Sequence, residues 1–316
     1  MMWWLVLRRI LIGLLLVWIV SVLVFVATQI LPGDAAEIRL GRTATEETLA
    51  ALRKQMGLDR PAVVQYGMWM SRLLSGDLGM SLAGGSSVAS LISARIGNTL
   101  FMAGIVTAIS VPLSIALGLL AAMHSGGWVE RVITSCTLGL IALPDFLIAV
   151  LLILVLAVGA GLVPAVAYIG PEDTLIERLH ALALPILTLV VVVSAQMIRM
   201  VRAGILNVLS SPYIEMAILK GVPRRRIILR HALLNAVGPT LNVIALNLAY
   251  LVSGVVVVET IFAYPGIAKL MIDAVQTRDM ALVQACAMIF CSTYVLLMLA
   301  ADIAAIVSNP RIRHPK

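Results

Sequence analysis

Apolar residues in this chain come in long runs, not in alternation with polar ones. Stretches free of Asp, Glu, Lys and Arg cover 10–33, 96–129, 146–171, 179–198, 232–258 and 280–301. Each reaches the roughly 20 residues a helix needs to cross a hydrocarbon core. With loop residues trimmed from the ends, the pattern predicts helices over 10–31, 98–123, 132–158, 181–201, 236–258 and 281–307, the third carrying Asp145 near its middle. The expected fold class is therefore all-α: a polytopic membrane protein with six transmembrane helices. A helix satisfies its backbone polar groups within its own segment, which is what lipid demands.

One other reading of the first run falls away. It follows Arg8 and Arg9 as a secretory signal would, but it is longer than the roughly 7–15 apolar residues of such a signal and no clean small-x-small site follows, so it reads as a retained helix. Composition agrees with the bilayer. The chain is 61% hydrophobic and 12% charged, against roughly 45–50% and 25% in a soluble domain.

The net charge of +7 acquires meaning from where the charges fall. Arg199, Arg202, Lys220, Arg224, Arg225, Arg226 and Arg230 face a single acid, Glu215, in 199–235; Arg311, Arg313 and Lys316 end the chain. The connector at 159–180 holds Glu172, Asp173 and Glu177 against Arg178. The positive-inside rule places both termini and the 199–235 loop in the cytoplasm. The basic balance thus belongs to membrane orientation and implies no nucleic-acid partner. The expected organisation is an N-terminal membrane helix (1–33), an outer segment (34–95), a five-helix core (96–310) with its cytoplasmic loop at 202–235, and a basic tail (311–316).

The outer segment contains a well-marked short helix. Thr45 is placed to cap it, Glu46 and Glu47 occupy the first turn, and Leu49, Leu52 and Met56 form an apolar face. Arg53 and Lys54 close the last turn and Gly57 stops it. Pro112, Pro144, Pro185 and Pro239 fall within the predicted spans, either as tolerated residues or as kinks that shape a pathway. Cys136, Cys286 and Cys291 lack metal-site spacing and form no disulfide framework; they read as packing residues.

The cytoplasmic loop carries the strongest local pattern. Ser211 stands as an N-cap, Pro212 fits the first helical position, and Gly221 supplies a left-handed stop. Pro223 is placed to open a second helix toward Leu234. Ala217 and Gly221 lie four apart on one face, beside Tyr213, Ile214 and Ile218, which are suited to fill a pocket on a partner. An interfacial helix with basic residues on lipid headgroups is the plainer reading of the same residues.

Tyr213-Ile214-Glu215-Met216-Ala217-x3-Gly221, followed by Arg225, Ile227, Arg230, His231, Ala232, Asn235, Ala236 and Pro239, resembles the EAA-loop signature of ABC importer permeases, with Met216 where the family most often has Ala. Further pieces in order are similar to dipeptide/oligopeptide permeases of the B type. These are Leu31-Pro32-Gly33-Asp34, Gly57-Leu58-Asp59-Arg60-Pro61, Gln65-Tyr66, Gly76-Asp77-Leu78-Gly79-x-Ser81, Glu259-x-x-Phe262-x-Tyr264-Pro265-Gly266 and Arg278-Asp279. The resemblance runs from about residue 8 to residue 310.

It implies a bacterial inner-membrane subunit that pairs with a second, homologous permease, two cytoplasmic ATPase subunits and an extracytoplasmic substrate-binding protein. It also implies that the 212–221 helix couples to an ATPase through Tyr213, Ile214, Glu215, Ala217, Ile218, Gly221 and Arg225. Peptides are the first substrate class it suggests, with nickel chelates or glutathione-like peptides as the alternative. None of Lys54, Lys220, Lys269 or Lys316 stands in a G-x-x-x-x-G-K-[ST] loop, so ATP and Mg are expected on the partners and no catalytic residue or bound cofactor on this chain.

Candidate path residues are Asp145, Asn242 and Asn247. An ionisable group deep in a span is a functional candidate by default, here toward a substrate amine or peptide N–H. A protonated, hydrogen-bonded packing role is the plainer reading of Asp145, and helix–helix hydrogen bonding explains the asparagines as well. Asp302 is expected to reach the membrane interface. Outer residues Gln65, Lys269, Pro265 and Gly266 are candidate binding-protein contacts, or turn residues serving their own fold. An ion-coupled secondary transporter would repeat its midplane charge in both halves, and Asp145 has no such counterpart. A membrane enzyme would cluster its chemistry, whereas His124, His180, His231 and His314 are scattered.

Overall fold

Local hydrogen bonding closes inside helices along most of the described residues. The computed structural model describes residues 2–30, 36, 40, 45–82, 84–170, 172–223, 226–227, 233–253 and 255–308. Among these the sole extended pairing is an isolated antiparallel bridge between Met80 and Ser87. The helices are α1 (Met2–Ile30), α2 (Glu46–Met56), α3 (Ala62–Leu74), α4 (Val88–Met123), α5 (Trp128–Ala142) and α6 (Asp145–Leu152). They continue with α7 (Leu175–Ala181), α8 (Ala183–Leu209), α9 (Pro212–Leu219), α10 (Leu233–Ser253), α11 (Val256–Ile261), α12 (Ile267–Gln276) and α13 (Met280–Ser308).

Among the described residues, five stretches are long and apolar enough to cross a membrane: Val6–Ile30, Val88–Met123, Ala183–Leu209, Leu241–Ile261 and Met280–Ala304. The sixth apolar run differs from the straight helix expected over 132–158. It consists of α5 and a second helical piece, Asp145–Gly159, bent by 103° at the break, and the chain has six spans when this pair is one broken span. Pro144 is the cause. It offers no N–H to the preceding turn, and its ring forces Leu143 out of the helical region to φ −87°, ψ 134°. Beyond Leu152 the piece continues as a π-helix over Ile153–Gly159. Asp145 therefore lies at the first residue of α6, directly after the break.

Other boundaries moved too. α4 starts at Val88, well before residue 98, and α8 runs on to Leu209, so Arg199 and Arg202 belong to the helix and not to the loop. α4 contains Pro112 without interruption, while Pro185 sits in the first turn of α8.

The chain forms two compact units. One comprises Met1–Ile10, Leu100–Tyr264 and Leu296–Lys316. Its central helix is α8, where Leu189, Val193, Met197, Val201 and Ile205, each four apart, are all buried. That spacing lines one face of a helix, and α5, α6 and α10 pack on α8. Gly118 of α4 lets Val201 come in close; a Cβ there would lie 2.8 Å from the valine side chain and 3.0 Å from the Ile198 carbonyl oxygen.

The other unit comprises Leu11–Thr99 and Pro265–Val295. The short helix α2 forms as expected. Thr45 and Thr48 cap its start reciprocally, and Gly57, at φ 71°, ends it while Gly57 and Leu58 N–H groups take the Lys54 and Arg53 carbonyls. Leu49 and Leu52 are half-buried, and the Met56 side chain lies outside the described residues. α3 was not anticipated, although Tyr66, Trp69, Met70 and Leu73 after Pro61 have helical spacing. It lies along α1: Phe25 meets Tyr66 edge-on at 5.4 Å and Trp69 at 6.0 Å, and the Tyr66 hydroxyl bonds Ser21 at 2.8 Å.

Candidate coupling loop and membrane-embedded polar site

The loop after α8 folds into a short helix with two different ends. Pro212 opens α9 at its first position, where its missing N–H leaves no bond unmade. Ser211 has the extended backbone of a cap, but its hydroxyl donates backward to the Val208 carbonyl at 2.5 Å and caps nothing in α9. The last carbonyls of α8 lack helical donors, and in so tight a turn they are what the hydroxyl meets. At the other end Gly221 adopts φ 75°. Its N–H bonds the Ile218 carbonyl at 2.9 Å and the Val222 N–H bonds that of Ala217 at 3.1 Å, which is the Schellman closure.

α9 divides its apolar residues between two directions. Ile214 is fully buried, and α9 packs against α8. Tyr213, Met216, Ile218 and Leu219 are exposed, the last to 75%. Glu215 is exposed and Ala217 half-buried. Pro223 then opens a further turn, its carbonyl accepting from Arg226 at 2.9 Å and Ile227 at 3.1 Å. Arg225, and the continuation over 228–232, lie outside the described residues.

Close to this loop the structure brings together two charges that sequence reasoning left apart. Arg202 of α8 donates from Nε to Glu130 Oε1 at 2.7 Å and from Nη2 to the same oxygen, while the Gly126 N–H donates to Oε2 at 2.5 Å. Glu130 lies in the first turn of α5, where the helix dipole favours a carboxylate. The acid in that first turn was the available signal; its partner, in another helix, was not.

The break between α5 and α6 holds the second polar pair. The Tyr250 hydroxyl, from α10, donates to Asp145 Oδ2 at 2.6 Å. Asp145 is half-buried and, as the first residue of α6, faces the positive end of that helix. Asn247 is buried and donates to the Val243 carbonyl of its own helix at 2.8 Å; Asn242 is exposed. Asp302, expected at the interface, pairs with Arg9 at 2.8 Å.

The candidate binding-protein contacts have partners within their own compact unit. Gln65 donates to the Leu58 and Arg60 carbonyls at 3.1 and 2.8 Å and accepts from Gln29 at 2.9 Å. Lys269 pairs with Asp273 at 3.5 Å. Gly266 is buried, and the Pro265 carbonyl accepts from Asn98 at 2.9 Å. Ser81 donates to Asp279, and both are buried. In the first unit, Glu259 and Tyr264 are fully buried, the Tyr264 N–H bonding the Glu259 carbonyl at 2.8 Å. Burial, with the Glu259 charge beside it, pushes the Tyr264 phenol up.

Comparison with known proteins covers both parts of the chain. Residues 114–314 match the family described as binding-protein-dependent transport system inner membrane component, and residues 1–103 match the N-terminal domain of such components. A probable peptide ABC transporter permease protein of Sinorhizobium fredii is 34% identical over 309 residues, which are 98% of this chain and 99% of that protein. A glutathione transport system permease protein of Escherichia coli O6:H1 is 34% identical over 297 residues, 94% of each chain.

Proposed function

This chain belongs to the binding-protein-dependent transport system inner membrane component family and is a multi-pass permease subunit of a peptide-type ABC importer; on that premise we propose how it works. With a second, homologous permease it lines the path for di- or oligopeptides across the bacterial inner membrane. Two cytoplasmic ATPase subunits bind ATP and Mg, and an extracytoplasmic binding protein delivers the peptide. This chain itself catalyses nothing and holds no cofactor. Both termini and the 202–235 loop face the cytoplasm, as the cationic loops favour, and residues 34–95 lie outside.

The observation that carries the reading is α9. A helix of eight residues, anchored by buried Ile214, turns Tyr213, Met216, Ile218 and Leu219 outward beside the charged Glu215 and Lys220. Exposed apolar anchors on a short helix closed at its C-terminal end by Gly221 suit a groove on a partner. In this reading Tyr213, Glu215, Ala217, Ile218, Gly221 and Arg225 serve the ATPase contact, and Ile214 holds the helix to α8. ATP-driven closure of the ATPases moves α9 and rocks the spans between two states.

Asp145, with Tyr250 as its donor, is the path residue this reading favours, ahead of Asn242 and of Asn247, whose amide is occupied by its own helix. Binding-protein contact falls on the outer segment and on 259–280, with Gln65 and Lys269 as crosslinking positions and Pro265 and Gly266 shaping the turn into α12.

The test is a mild-detergent purification of wild type and Gly221→Arg with their native partners. Wild type is expected to bring down both ATPase subunits and a second permease, and the variant to insert normally but lose the ATPases. Retention of the ATPases by Gly221→Arg, with normal uptake, would overturn the assignment of α9.

A further inference from the structure

α8 is one unbroken helix from Ala183 to Leu209, and α9 follows after a two-residue turn. That turn is stiffened by the Ser211 hydroxyl on the Val208 carbonyl and by the Ser210 and Ser211 N–H groups on the carbonyls of Leu206 and Val208. Arg202 lies about 10 Å along the axis from the end of α8, at ~1.5 Å per residue. A displacement of α9 therefore reaches Arg202 through rigid helix and a braced corner, with no loop to absorb it.

At Arg202 the motion has a defined exit. The guanidinium donates twice to one oxygen of Glu130, and the other oxygen is held by the Gly126 N–H. The side chains are 28% and 11% exposed, so water competes little for the pair. Glu130 stands at the start of α5, whose far end is the break at Pro144 and the first residue of α6, Asp145. α5 packs on α8, which carries a buried apolar face. Apolar helix faces permit small sliding. A forked, charge-assisted pair with both carboxylate oxygens engaged resists it, because separating the partners leaves a charge poorly solvated.

We propose that the Glu130–Arg202 ion pair is the positioning tie through which movement of α9 reaches the broken α5–α6 pair and the Asp145 site. The proposal rests on the reading of α9 as the ATPase-coupling helix. It assigns no contact with substrate or nucleotide to either residue. The tie fixes the register between α5 and α8, so that the two move together.

The test uses the whole transporter with its ATPases in lipid. Spin labels go at Leu113→Cys on α4 and Phe146→Cys on α6, both positions exposed, with Cys136, Cys286 and Cys291 replaced. The distance between them is measured with and without ATP plus vanadate, in otherwise unaltered protein and with Glu130→Gln. The unaltered pair is expected to show an ATP-driven change in distance. Glu130→Gln is expected to keep its ATPases and its basal ATP hydrolysis while that change shrinks at least twofold. A change equal to that of the unaltered pair overturns the tie. If the ATPases fail to co-purify even without the Glu130 substitution, the reading of α9 falls, and the tie falls with it. If Glu130→Gln does not accumulate in the membrane, Arg202→Lys, which keeps the charge but loses the fork, is judged by the same measure.

Discussion

Ser81 and Asp279, 198 positions apart in the chain, meet in a buried hydrogen bond with the serine hydroxyl as donor. The second carboxylate oxygen of Asp279 accepts from the Leu282 N–H at 3.3 Å and so caps α13, while Ser81 Oγ accepts from the Gly84 N–H at 3.2 Å. Two motifs that look like separate turns are halves of one joint. Ser81→Ala deprives a buried carboxylate of a donor, at about 1–3 kcal/mol. The purified transporter should unfold at a lower temperature, while uptake per inserted molecule stays close to wild type. A loss of uptake at unchanged thermal stability would assign the joint a working role instead.

Gly221 separates backbone strain from bulk. Among the described residues beyond its two chain neighbours, no atom lies within 4 Å of a Cβ built there, and its φ is 75°. Gly221→Ala should therefore cost only the left-handed conformation, of order 1 kcal/mol. Its ATPase co-purification should fall partway, above that of Gly221→Arg. Equal losses in the two variants would mean that the helix end, and not the space beyond it, determines docking.

Gly118 is a packing position. Gly118→Ala places a methyl group 2.8 Å from Val201 and should destabilise by roughly 1–3 kcal/mol through overpacking. Val201→Ala in the same chain should recover most of that loss, since residues in contact are not additive. Thermal unfolding of the two single variants and the double variant measures the coupling directly.

Asp145 and Tyr250 are expected to act as one unit. Asp145→Asn and Tyr250→Phe should lower peptide uptake to a similar degree, roughly tenfold if a hydrogen bond to a charged group worth about 1.5 kcal/mol is lost. The double variant should be no worse than either alone. Multiplying effects in proteoliposome uptake would show that the hydroxyl and the carboxylate serve separate steps.

What the sequence by itself determined is local. The apolar runs announce the spans because lipid exposure acts on each helix separately, whatever its neighbours. Thr45 and Gly57 bound α2, and Pro212 and Gly221 bound α9, because caps are made between residues a few positions apart. The order of motifs along the chain carried the family resemblance in the same way. Even here neighbours intrude: Ser211 spends its hydroxyl on the end of the preceding helix and not on α9.

Tertiary structure decided everything that depends on which helices stand side by side. The partners of Glu130, Asp145, Ser81 and Asp302 lie 72, 105, 198 and nearly 300 positions away, and no periodicity encodes such pairings. The span over 132–158 was legible as apolar, yet whether Pro144 bends a helix slightly or breaks it depends on what its neighbours supply to the freed backbone groups. α3 escaped notice because its apolar stripe is short and acquires meaning only against Phe25 and Ser21 of α1. Hydrogen bonds within a turn are chosen by the chain's own neighbours, whereas a charge or hydroxyl taken out of water is satisfied by whatever the topology brings to it.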